Sequence, residues 1–110
     1  MKAYTDISQS KKLAEILPLE SADMPYYYDR DNDVEIPCWS LAALLEQLDD
    51  NITNDNGNDL ILEIHKEDGL YYLNYRDRQE WQDDIETDYY DDLVDACVEI
   101  ILKLHEQKLL

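Results

Sequence analysis

Asp29, Asp31 and Asp33 stand at alternate positions, with Glu35 and Ile36 behind them, the spacing with which a calcium-binding loop opens. Hard cations gather carboxylate and carbonyl oxygens in this way. The continuation departs from that loop twice: Val34 replaces the glycine of its sharp turn, and Ser40 stands where its bidentate glutamate belongs. A second stretch, 54–63, offers Gly57 and Glu63 but has Ile52 at the first ligand position. Neither is an EF-hand. A solvated acidic loop is the plain reading, and a weak metal site at Asp29, Asp31 and Asp33 is the alternative, in which the chain is a regulatory subunit that needs a divalent cation.

The residues that serve other chemistries are few. Gly57 and Gly69 are the only glycines, so a glycine-rich phosphate loop cannot be built. There is no serine elbow and no closely spaced histidine pair. Cys38, His65, Cys97 and His105 lie singly along the chain, whereas structural zinc sites bring their ligands in close pairs. His65 falls in a strand pattern and His105 near the end of a helical one, both ordinary structural or surface positions. These patterns point to no catalytic residue and no cofactor. Both cysteines sit beside apolar residues and read as reduced, buried thiols. With no secretory signal pattern at the N-terminus, the expected setting is cytoplasmic.

Acid dominates the composition. Lys and Arg total 9 against 27 Asp and Glu, a formal net charge of −18. Phosphate backbones and anionic lipid would repel such a surface, which argues against nucleic acid and membranes as direct partners. The acids are also segregated: from Arg30 to Lys66, and again from Arg78 to Lys103, there is no lysine or arginine. Tyrosines interleave with these runs, as in Tyr89-Tyr90-Asp91-Asp92. Tyrosine gives large contact area with a polar tip and is enriched at interfaces. Asp83, Asp84, Glu86, Asp88, Tyr89 and Tyr90 are therefore the candidate docking surface for a basic protein, even as a mimic of DNA. The competing reading is that the acids keep a small domain soluble while the tyrosines fill a sheet. Crowded carboxylates should also repel one another, raising their folded-state pKa values and weakening the fold as pH rises through the carboxylate range.

The elements that must carry these residues follow from periodicity. A helix is expected from Asp6 to Leu17, with Thr5 as N-cap, Ile7, Leu13, Ala14, Ile16 and Leu17 on its apolar side, and Pro18 ending it. Residues 19–37 read as an irregular connector with a short strand at Tyr26, Tyr27 and Tyr28. Ser40 caps a second helix carrying Leu41, Leu44, Leu45 and Leu48, with Trp39 and Leu44 placed as a hydrophobic staple. Asp49 to Asp59 reads as a loop. Two alternating runs, Leu60–His65 and Leu70–Tyr75, flank Asp68-Gly69, the dipeptide of a tight hairpin turn. Trp81, Asp83 and Ile85 alternate as a third strand. The last helix spans Asp91 to Lys108, its stripe formed by Leu93, Val94, Cys97, Val98, Ile101, Leu104 and His105, with acids at its start and lysines near its end.

Together these predict a single acidic α+β domain over residues 1–110: an antiparallel hairpin or three-stranded sheet with helices packed on one face and a long C-terminal helix. Three segments add a resemblance: Thr5-Asp6-Ile7 through Ser21-Ala22-Asp23-Met24, Pro37-Cys38-Trp39-Ser40-Leu41, and Asp95-Ala96-Cys97-Val98-Glu99 through His105-Glu106. In combination they resemble a group of small uncharacterised acidic proteins from bacterial genomes and their phages or mobile elements. That resemblance implies a bacterial cytoplasmic setting and an accessory role in a mobile element. It brings no activity and no catalytic residue.

Overall fold

Among the described residues each α-helix is started by a side chain that accepts a backbone N–H. The structure, a computed structural model, describes residues 1–31 and 33–110; for Pro25, Tyr26, Tyr27 and Asp29 the description stops at the backbone. Helix α1 (Ile7–Ala14) is capped by Asp6, not Thr5: Asp6 accepts from Gln9 N at 2.8 Å and Gln9 Oε1 accepts from Asp6 N at 3.0 Å. This reciprocal pair is a capping box. Thr5 is fully buried instead, its hydroxyl spent on Ser10 Oγ and Trp39 N. Ile7 is 46% exposed, so the apolar side of α1 is narrower than its spacing predicts. After Ala14 the helix loosens, and a 3₁₀ turn at Leu19–Ser21 follows Pro18.

The expected irregular connector is a hairpin. Strand β1 (Met24–Asp29) pairs antiparallel with β2 (Val34–Cys38), forming a two-stranded sheet of its own. Pro25 and Pro37 argue against strand at sequence level because proline cannot donate to a ladder. In a two-stranded sheet both strands are edges, so a missing N–H on the outer side costs nothing. Helix α2 (Leu41–Glu46) begins as expected at Ser40, which accepts from Ala43 N at 3.2 Å. Trp39 and Leu44 are both fully buried in the core.

The main sheet has four antiparallel strands in the order β3-β4-β5-β6, one more than the most the sequence suggests. Strand β3 (Asn51–Thr53) lies inside the segment expected to be loop and pairs with Leu60 and its neighbours at the start of β4 (Asp59–Glu67). The loop chemistry is real but shorter: Asn54 Oδ1 accepts from Asn56 N and Asn58 N, and Gly57 takes φ 80°. Strand β5 (Leu70–Asp77) returns through Asp68 and Gly69 at φ 51° and 79°, both in the left-handed region that such a turn requires. Strand β6 (Gln82–Glu86) completes the sheet, with a register shift opposite Tyr75 and Arg76.

Helix α3 (Leu93–Glu106) is capped by Asp92 and buries Val94, Ala96, Cys97, Val98, Ile100, Ile101 and Leu104. It packs against β5, β6 and α2, which explains why burial spreads beyond one stripe to Ala96 and Ile100. His105 is exposed, outside the stripe expected for it. Leu60, Leu73, Tyr75 and Ile85 point from the sheet into the same core, which also holds Leu13, Leu17 and Trp39. Both cysteines are buried and free, and burial pushes the Cys97 thiol up to about 12.

Candidate interaction surface

Because side chains alternate along a strand, the face of the sheet turned away from α3 carries a second set of residues. The two-residue Asp68-Gly69 turn sets the β4–β5 register, which places His65 opposite Tyr72, Glu63 opposite Asn74 and Ile61 opposite Arg76. Across β6 the register adds Glu86 beside Asn74 and Asp83 beside Arg76. The sequence pattern puts Tyr72 and Asn74 on this second face, but their cross-strand partners follow only once the turn length is read as a register.

Asn74 is the hub of this face and is 1% exposed. Its amide nitrogen donates to Glu63 Oε1 at 2.9 Å and to Asp83 Oδ1 at 2.8 Å, while His65 Nε2 lies 2.8 Å from its carbonyl oxygen. Two carboxylates can only accept at neutral pH, so they fix which way the amide points. His65 Nε2 must then carry a proton and donate it to Asn74 Oδ1. Arg76 Nε stands 3.2 Å from Glu63 Oε1 and 3.7 Å from Asp83 Oδ1, an ion pair by proximity whose buried N–H makes no directed hydrogen bond. Within this network Glu63 and Asp83 each engage through one oxygen.

Beside the hub lies an aromatic row. His65 stacks on Tyr72 with ring centroids 4.3 Å apart and planes within 10°, and Tyr72 meets Tyr89 at 4.7 Å and 56°. Tyr89 remains 57% exposed. The Tyr72 phenol is pushed up first by burial and then by the nearby charges of Glu67, Asp83 and Glu63. Carboxylates thus border the row. No protein-family model, no curated protein and no solved structure matches the chain.

The residues that the sequence marks as a docking surface divide between two sides. Asp83, Glu86 and Tyr89 join the face just described. Asp84, at the register shift, instead lines a 280 Å³ cleft with Asn54, Asp55, Asn56, Gln107 and Leu109. Tyr90 turns inward: its backbone pairs with Tyr71, its ring packs on the core, and its hydroxyl donates to Glu99 Oε1 at 2.8 Å. Burial and then Glu99 push that phenol up to about 12. Asp88 is exposed, and its backbone N–H is held by the Glu99 carboxylate at 3.1 Å. Glu99 therefore pins the segment that presents Tyr89.

The alternating aspartates fall at the β1–β2 turn. Asp33 there has φ 53° and its carboxylate accepts from the Tyr28 hydroxyl. The side chain of Asp29 lies outside the described residues. Among the described residues no group of three or more His, Cys, Asp and Glu is arranged to hold a metal ion. No helix among them is long and apolar enough to cross a membrane.

The expected mutual repulsion of carboxylates gives way to hydrogen bonding wherever a shift is evident. Asp6, Glu63 and Asp77 lie below the ordinary carboxylate range, held there chiefly by Gln9 N–H, by the Asn74 amide and by the Asn58 amide respectively. Asp23 is also lowered: burial pushes it up, and hydrogen bonds from Ser40 more than reverse this.

Proposed function

We propose that this chain is a non-enzymatic protein-interaction module that docks a basic protein on the face of its sheet turned away from α3. The observation that carries the reading is the His65–Tyr72–Tyr89 row, open to solvent at Tyr89 and bordered by Glu63, Glu67 and Asp83. Tyrosines supply the contact area and the carboxylates supply attraction at a distance. The Asn74 amide is spent on Glu63, Asp83 and His65, which suits a rigid binding platform better than a reacting centre. An accessory role in a mobile element is the setting that the resemblance implies, and a DNA-binding protein is then the natural partner for so acidic a face.

The test is kinetic. With the partner in hand, Asp83→Lys together with Glu86→Lys should slow association severalfold, and Tyr89→Ala should speed dissociation, since charge steers encounter and buried contacts govern escape. Raising salt should weaken binding steeply, because near 0.15 M the Debye length is about 8 Å. A partner displaced by duplex DNA identifies the face as an imitation of DNA. Binding indifferent to both salt and the charge reversals would overturn the reading.

A further inference from the structure

The docking reading leaves open which group of the basic partner this face selects, and the geometry narrows it. A lysine ammonium is a compact, strongly hydrated point charge, whereas a guanidinium is flat, weakly hydrated and forked. The face offers a flat target in the exposed Tyr89 ring, set against Tyr72 at 4.7 Å. It also offers acceptors on the Tyr72 side of that target: the contacts of Glu63 and Asp83 run through Oε1 and Oδ1 alone, and the second oxygen of each has no partner among the described residues.

The chain already shows both halves of this chemistry with its own side chains. Arg76 lies between Glu63 and Asp83 without saturating either carboxylate. At the neighbouring register position, Lys66 Nζ lies 5.4 Å over the ring of Tyr71. A cation over a tyrosine face is a favourable contact, and arginine makes it more often than lysine because its plane can stack.

We infer that the group recognised is an arginine side chain of the partner, its guanidinium stacked on Tyr89 beside Tyr72 and paired with the unengaged oxygens of Asp83 and Glu63. This rests on the docking reading, and it adds a selectivity that general acidity does not supply. A surface that attracted only positive charge would treat lysine and arginine alike.

Two probes of equal charge separate the cases: hexa-arginine and hexalysine peptides, each titrated into the full chain and followed by amide chemical shifts at about 0.15 M salt. The expected result is that hexa-arginine binds about fivefold more tightly, with the largest shifts around Tyr72, Asp83 and Tyr89. Tyr89→Ala should cost hexa-arginine about fivefold and leave hexalysine nearly unchanged, while Tyr89→Phe keeps the ring and should keep the preference. Equal affinities with shifts on this face would overturn the arginine inference and leave the docking reading standing. Shifts confined to other surfaces, or no binding by either peptide, would overturn both.

Discussion

Replacing Asn74 with aspartate changes one NH₂ into an oxygen and reverses the logic of the hub. The amide donates at 2.9 Å to Glu63 and at 2.8 Å to Asp83, and both donations disappear. Hydrogen bonds to charged groups are worth about 1.5–3 kcal/mol each when buried. Glu63 and Asp83 keep 32% and 31% of their side chains exposed, so water can take over part of that role. The lower end for the two bonds together is about 3 kcal/mol, and discounting it by about half for that exposure leaves about 1.5 kcal/mol for the pair. Like charges brought to about 3 Å repel by about 1.5 kcal/mol in water and severalfold more at lower dielectric, which the carboxylates will relieve by swinging apart. Asn74→Asp should thus lower stability by about 3 kcal/mol at pH 7. The introduced carboxyl is held above the ordinary range near 4 in the folded state. Its penalty is therefore absent below that range and grows as pH rises through the raised value, so the loss should shrink to about 1 kcal/mol at pH 4. Urea titrations of both proteins at the two pH values, read by tryptophan fluorescence, measure this. A loss below 1 kcal/mol at pH 7, or one that is the same at both pH values, would refute the hub.

Two further outcomes are expected. Ile101→Ala and Leu104→Ala should each cost about 2–5 kcal/mol, since both side chains are buried where α3 meets the core; unchanged urea midpoints would mean the core lies elsewhere. The wild-type chain should lose stability as pH falls below about 4, because the depressed Asp6, Asp23, Glu63 and Asp77 contribute only while ionised, and again as pH rises from about 9 towards 12, because Cys97 and Tyr90 are held neutral in the fold. Thermal melts across pH 2–12 would expose a stability that instead falls as pH rises through the carboxylate range.

Legibility in the sequence tracked how local each signal is. The α3 stripe, the Ser40 cap and the Asp68-Gly69 turn are readable because each depends on residues a few positions apart. The cap of α1 is ambiguous in the sequence because both Thr5 and Asp6 are capping types, and only the tertiary contact of Thr5 with Trp39 decides between them. Strands β1, β2 and β3 are hard to read locally for a related reason. Their prolines and asparagines oppose strand locally, and pairing overrides them. The candidate surface was half visible: Asp83, Glu86 and Tyr89 stand in an acidic, tyrosine-rich run, whereas Glu63, His65, Asn74 and Arg76 become a network only through cross-strand register. Tyr90 could not be told from Tyr89 without the bridge to Tyr71 that turns it inward.

The position of α3 in the core has a consequence for how the chain is made. Leu13 and Trp39 share one apolar cluster with Val94, Ile101 and Leu104, so early and late parts of the chain complete each other. At about 5–20 residues per second, on the order of 5–20 s separates synthesis of Leu13 from that of Leu104. Late in that interval the β4–β5 hairpin has been made, but by itself it is marginal in water, because its inner side chains have nothing to cover them. The dense negative charge of residues 31–65 emerges within the same interval and would keep such nascent chains apart. On that view, a share of the acidity protects the chain before it folds, and charge removed from the 31–65 run should show first as lower soluble yield, ahead of any change in the folded protein.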